Sequence, residues 1–211
     1  MPRKLREEVV DGIFHVYARG NDRRVIYRDD TDRETYLRLL AATVERCRWR
    51  LFAYCLMKNH VHLLIHTPHA NLGVGMQRLH SGYALQFNQR HGRSGHVFQG
   101  RYGAVRVNTD EQLWGAVVYV VMNPVEAGLC DGPEDWPWGS HRAVVTGSAP
   151  RWLDVGRLLG HFAGLGGDPR ERYAAMFQGT HEARPLVGRA SLEGNSSLDS
   201  PRGASAGAPS R

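Results

Sequence analysis

His60 and His62, set either side of one valine in the run CLMKNHVHLLIHTP (residues 55–68), are the first residues of this chain whose types and spacing could do chemistry. In an extended strand, side chains two positions apart share a face, so both imidazoles point one way and Val61 points the other, into a core. Neutral imidazole is the commonest side-chain metal ligand, and a pair on one face makes part of a metal site. No carboxylate follows to complete a zinc-hydrolase pattern; Leu63, Leu64 and Ile65 come next. His66 shares the face further along and is read as an edge residue. A bare His-x-His also fits two polar strand residues meeting solvent, so the rest of the chain has to decide.

A partner for the pair lies in TDEQLWGAVVYVVMNP (109–124). Tyr119 and Asn123 are four residues apart and therefore project from one face of a helix. The Asn123 carbonyl oxygen can serve a metal, and Tyr119 carries a hydroxyl beside it. Pro124 removes a donor and crowds the carbonyl of Val120, which predicts that the helix ends or kinks there. The competing reading makes Tyr119 a core aromatic and Asn-Pro a helix stop.

The elements that must position these residues follow from periodicity. GIFHVYARGN (12–21) alternates and ends in a turn pair, which predicts a strand. Residues 29–48 carry Tyr36, Leu37, Leu40, Val44 and Cys47 at helical spacing behind a cap at Asp30 or Thr31. Strands are expected over 49–57 and 60–66, joined by a Lys58-Asn59 turn into an antiparallel hairpin. A second helix is expected over 71–92, a fourth strand over 102–107, and a third helix from 109, opened by Thr109 in a pattern resembling a capping box. The order predicts an α+β fold of the ferredoxin-like kind, an antiparallel or mixed sheet with helices packed on one face. Short helices are expected near 154–162 and 169–177. The organisation read from the chain is a catalytic domain over 1–145, a helical extension over 146–188 packed on or near it, and a disordered Ser/Gly/Ala/Pro tail over 189–211.

Charge distribution says more than the net +6. Between Arg46 and Thr109 there is no Asp or Glu, against eight arginines, one lysine and seven histidines. A surface of one sign favours a polyanion, and nucleic acid is the leading partner. No apolar run approaches the ~18 residues of a membrane span, and no signal peptide is expected. Three scattered cysteines, Cys47, Cys55 and Cys130, fit neither a disulfide framework nor a zinc site and point to a reducing cytoplasm.

Taken in order, FHVYARGNDRRVIYRDD, YCLMKNHVHLLI, GHVFQGRYGAVRV, YVVMNPVEAGL and WPWGSHRA resemble the HUH single-tyrosine transposases of bacterial insertion sequences, closest to the REP-associated tyrosine transposases, over roughly residues 12–145. The resemblance implies a ferredoxin-like sheet, Mg²⁺ or Mn²⁺ held by His60, His62 and Asn123, and Tyr119 as the nucleophile that forms a 5′-phosphotyrosine. It further implies a cytoplasmic bacterial protein, nucleoid-associated when bound to its single-stranded or hairpin DNA. Arg90, Arg93, Arg101 and Arg106 are then candidates for phosphate contacts, and Phe98 and Tyr102 for base stacking, the alternative being a basic loop over core aromatics. The chain departs from the family pattern at Glu126 and at Gly139-Ser140-His141. The rival within the family is a domesticated hairpin-binding protein without turnover. Two-histidine phosphoesterases need a second His-x-Thr/Ser element at a spacing that His66-Thr67 and His80-Ser81 do not supply, and histidine-triad hydrolases need a histidine where Leu64 stands. Neither a monomer nor a homodimer is favoured by these residues.

Overall fold

Arg50–Leu56 (β2) and His60–Thr67 (β3) form a tight hairpin on one side of the sheet, with β2 at its edge. The computed structural model describes residues 9–162 and 166–178. The expected tail over 189–211 lies outside them. Before the hairpin come β1 (Gly12–Arg19) and α1 (Asp30–Cys47); after it come α2 (Leu72–His91), β4 (Gly103–Val107) and α3 (Asp110–Glu126). Three short helices follow, α4 (His141–Thr146), α5 (Val155–Gly160) and α6 (Pro169–Ala175).

The sheet order is β2-β3-β1-β4 with every pair antiparallel. With the element order βαββαβ, this is the ferredoxin-like α+β fold. Val61, Leu63 and Ile65 on one side of β3 are no more than 1% exposed, and α1 and α2, packed against each other, cover that side. The other side, carrying His60, His62 and His66, is covered by α3, which packs across β2, β3 and β4. The helices thus occupy both faces, not one as expected from the element order. Both sides of β3 are buried, so each needs its own apolar lid.

Local chemistry accounts for the boundaries. The N-cap of α1 is Asp29, one residue before the expected position, because its carboxylate accepts the Asp32 N–H at 3.2 Å. At α3, Thr109 Oγ1 accepts from the Gln112 N–H, while the Gln112 side chain accepts from the Asn108 N–H, so half of the capping box forms and its second arm reaches one residue too far back. Pro124 does not end α3. The helix runs on to Glu126 and closes with the Ala127 N–H on the Asn123 carbonyl at 3.0 Å. Pro124 costs the helix the one bond to the Val120 carbonyl that its own nitrogen cannot make.

The WPWGS segment finds a structural use. The Leu56 N–H donates to the Trp138 carbonyl, the Ser140 N–H donates to the Tyr54 carbonyl, and Ser140 Oγ accepts from the Tyr54 N–H. This covers the outer edge of β2, which would otherwise be an open pairing edge. Beyond it, Phe162 stacks on Trp114 of α3 at 3.8 Å, and His141 packs on Tyr173 and Phe177. The expected boundary at 145/146 falls inside α4. Among the described residues no helix is long and apolar enough to cross a membrane.

Candidate active site

The β1–β3 register sets the polar face. Arg19 lies opposite His60, Tyr17 opposite His62 and His15 opposite Leu64, so the alternation that aligns His60 and His62 also aligns His15, Tyr17 and Arg19 beside them. The β2–β3 turn that delivers His60 is clamped from outside: the Gly20 N–H donates to the Asn59 carbonyl at 2.8 Å and the Ile26 N–H to Lys58 at 3.1 Å. Gly20 has no substitute here, since a Cβ would lie 2.0 Å from the Arg24 carbonyl oxygen.

From the opposite side α3 brings Tyr119 and Asn123. The Tyr119 ring stands edge-on to both His62 and His15, with centroids 5.3 Å from each. Asn123 Oδ1 lies 3.4 Å from His60 Nε2. His60 and His62 are themselves perpendicular at 5.1 Å. Tyr119, Asn123 and His60 are all partly exposed, so the cluster opens to solvent. All four residues singled out by spacing are brought together.

The hydrogen bonds settle which atoms are acceptors. Asn59 Nδ2 donates to the Arg23 carbonyl, which turns Asn59 Oδ1 toward His60 Nδ1 at 2.8 Å. Asn123 Nδ2 donates to the Tyr119 carbonyl at 2.8 Å, which turns its Oδ1 toward His60 Nε2. Burial lowers the His60 pKa, opposed by Asn123 and reinforced by Arg19, so the ring is neutral and holds one proton. The shorter contact takes that proton at Nδ1. Nε2 then presents a lone pair to a carbonyl lone pair, an arrangement that a cation between the two would relieve. His62 is pushed well below the ordinary range, by burial first and then by its neighbours His15, His60 and Arg19. Its Nδ1 contacts His15 Nε2 at 3.0 Å. When the shared proton sits on His62 Nδ1, His62 Nε2 is left free as a ligand. The residues therefore fit a divalent ion with nitrogen and oxygen donors and room for oxygens from elsewhere. They do not close around it alone: no group of three His, Cys, Asp or Glu side chains converges among the described residues.

The expected DNA-contact residues are dispersed. Phe98 is buried and stacks on His80 at 4.1 Å, and Tyr102 is buried, so neither ring offers a face to a base. Arg90 holds Asp29 and Asp32 at 2.8 and 2.6 Å and ties the start of α1 to the end of α2. The Arg93 guanidinium lies 5.6 Å from the Phe87 ring centroid. Arg106 pairs with Phe14 and points to the side of the sheet away from His15 and His62. Arg101 is exposed, just before β4. His66 is taken up by Asp11 at 2.6 Å, apart from the cluster. The residue that reading by motif missed is His15, 1% exposed with its pKa lowered to about 4 by burial. Its signal was available, a lone histidine in the middle of an otherwise apolar stretch of strand.

A ferredoxin-like sheet with two strand histidines facing a helix-borne tyrosine and asparagine defines the class. The model of the family described as IS200-like transposases matches residues 8–120, and the chain belongs to that family. A Haemophilus influenzae protein named as a REP-associated tyrosine transposase is 26% identical over 114 residues, 48% of this chain, which spans 65% of that relative's length. A solved structure of a REP-associated tyrosine transposase bound to a REP hairpin is similar in fold, with a TM-score of 0.59 at 18% identity, over 71% of this chain and 89% of the other.

Proposed function

We propose that the chain is a DNA nicking and joining enzyme of the transposase type, acting on single-stranded or hairpin DNA with Tyr119 as nucleophile and His60, His62 and Asn123 as the set that holds a divalent metal, Mg²⁺ or Mn²⁺. The observation that carries it is the meeting of the Tyr119 ring with His62 at 5.3 Å beside the facing lone pairs of His60 Nε2 and Asn123 Oδ1. Family membership and the hairpin-bound neighbour support the substrate class.

When bound, the metal supplies Lewis acidity at the scissile phosphate. The chain's own residues do the rest. Tyr119 Oη forms the bond to phosphorus as the bond to the 3′-oxygen breaks; the phenol gives up its proton and the departing 3′-oxygen gains one. The product is a 5′-phosphotyrosine and a free 3′-hydroxyl. Attack by another 3′-hydroxyl reverses the bond changes and joins a new end, with no nucleotide cofactor. A free phenol has a pKa of about 10 and needs help at neutral pH. Three neutral ligands leave the positive field of the site undiminished, which favours a phosphodiester and a developing phenolate.

The test is incubation of the protein with labelled hairpin and single-stranded oligonucleotides in Mn²⁺. The wild type is expected to form a covalent adduct that survives denaturing gels, and Tyr119→Phe none. An adduct that persists in Tyr119→Phe overturns the nucleophile; binding of hairpins by the wild type without any adduct favours the non-cleaving, domesticated reading.

A further inference from the structure

Beside the four site residues stands an aromatic that the chemistry does not use. Tyr17 is on an inner strand, between β3 and β4, yet its side chain is 40% exposed. Its ring centroid lies 5.8 Å from His15 and 6.4 Å from His62, tilted by similar angles to both. It lies down on the sheet because Gly103, its partner on β4, has no side chain: a Cβ there would come within 2.2 to 2.6 Å of three atoms of the Tyr17 ring. One ring face is thus carried by the Gly103 backbone, while the side chain stays open to solvent at the mouth of the cluster.

Around that mouth the charge is mostly positive. Arg19, Arg23, Arg24, Lys58 and Arg101 are all exposed. The segments that carry them are tied together by the Gly20 N–H on Asn59, Asn59 Nδ2 on the Arg23 carbonyl, the Ile26 N–H on Lys58 and the Gln99 N–H on the Arg19 carbonyl. Asp22, 3.7 Å from Arg24, is the only carboxylate within residues 19–24, 57–60 and 97–102. A flat, supported π-face inside a rim of cations is the combination that binds single-stranded nucleic acid, stacking the base and following the backbone with charge.

We propose that Tyr17, seated on Gly103, is the stacking platform for an unpaired base next to the phosphate that reaches Tyr119, with the Arg19–Lys58–Arg101 rim holding the adjoining backbone. This rests on the reading of the site as a DNA-cleaving centre, but its test does not need cleavage. Because the Tyr17 ring already makes its protein contacts in the absence of DNA, little ordering is required when a base arrives.

The experiment titrates wild type, Tyr17→Phe and Tyr17→Leu with single-stranded oligodeoxynucleotides carrying one 2-aminopurine, in EDTA so that nothing is cut. Wild type and Tyr17→Phe are expected to quench the fluorophore and bind alike. Tyr17→Leu, which keeps apolar bulk without a π-face, is expected to lose the quench and bind about tenfold more weakly. With an abasic position in place of the fluorophore, wild type and Tyr17→Leu should bind equally. Unchanged quench and affinity in Tyr17→Leu overturn the proposal, as does a loss that persists on the abasic strand, or no binding of single strands at all. Adduct formation by the wild type in Mn²⁺ is read separately. An adduct with a Tyr17-independent base contact sinks the platform alone, and a Tyr17-dependent quench without an adduct sinks the chemistry alone.

Discussion

On one face of β3, Val61, Leu63 and Ile65 are sealed beneath α1 and α2; on the other, His60, His62 and His66 lie beneath α3 and against β1. Beyond His60, which is partly exposed, the two faces are nearly equally dry, Leu63 being fully buried and His62 only 6% exposed. What separates them is how their atoms are satisfied. The aliphatic face needs only contact, and gains roughly 1.5–3 kcal/mol for each fully buried side chain. The imidazole face must find a partner for every buried nitrogen or leave it costly. It solves this with His15 behind His62, Asn59 behind His60 and Asp11 behind His66. The solution is incomplete at three places, the buried Nδ1 atoms of His15 and His66 and the facing lone pairs of His60 and Asn123, and the last of these is where an ion would fit. A sheet can therefore be nearly equally dry on both sides, with one side fully satisfied by contact and the other left with polar atoms that lack partners.

The largest effect that would break this comparison is Tyr119→Phe, which removes one oxygen from the reactive face. Adduct formation should fall by at least about a thousandfold, with the thermal unfolding midpoint almost unmoved; a single-turnover gel assay beside a melting curve reads both. The mirror experiment is Leu63→Ala on the inert face. It should cost about 2–5 kcal/mol of stability in urea, while the folded fraction retains its metal and DNA affinity. A selective loss of Mn²⁺ binding in Leu63→Ala would show that the faces are not separable.

Smaller, and more specific, is His15→Phe. The ring volume is kept, but the acceptor behind His62 Nδ1 is lost, so Mn²⁺ affinity measured by calorimetry or electron spin resonance should weaken about 10–100-fold. If Mn²⁺ binds this variant as it binds the wild type, His15 does not orient His62. The smallest effect concerns a buried imidazole away from the site. Burial holds His141 at about 4, against 6.5 in the unfolded chain, so between those values the unfolded state binds the extra proton. Stability should then fall as pH drops from 6.5 toward 4, with a slope of up to ~1.4 kcal/mol per pH unit from this residue. His141→Phe should flatten the urea-midpoint profile by that share and leave the Mn²⁺ affinity alone.

Much of this was legible in residue order. Alternation located β1, short apolar runs located β2 and β3, and helical spacing located the main helices, because regular elements bury residues at fixed periods or, for inner strands, on both sides. His60, His62, Tyr119 and Asn123 were legible as two same-face pairs, since strand and helix geometry act over two and four residues. Phe98 and Tyr102 misled, because an aromatic in a basic loop reads alike whether it is sealed against His80 or open to solvent. Arg90 misled in the same way, its guanidinium being taken up by Asp29 and Asp32 some sixty residues earlier. The expected stop at Pro124 comes two residues later, at Glu126.

By itself, then, the amino-acid sequence determined the elements, the side each residue presents, and a one-signed stretch suited to a polyanion. These depend on local periodicity and composition alone. Only the tertiary structure decided that His15 backs His62, that Tyr17 lies on Gly103, and that the helix pair meets the strand pair. Those contacts join residues from 47 to 104 positions apart, and their register is set by sheet pairing and by which face each helix covers, neither of which any short window of the chain contains.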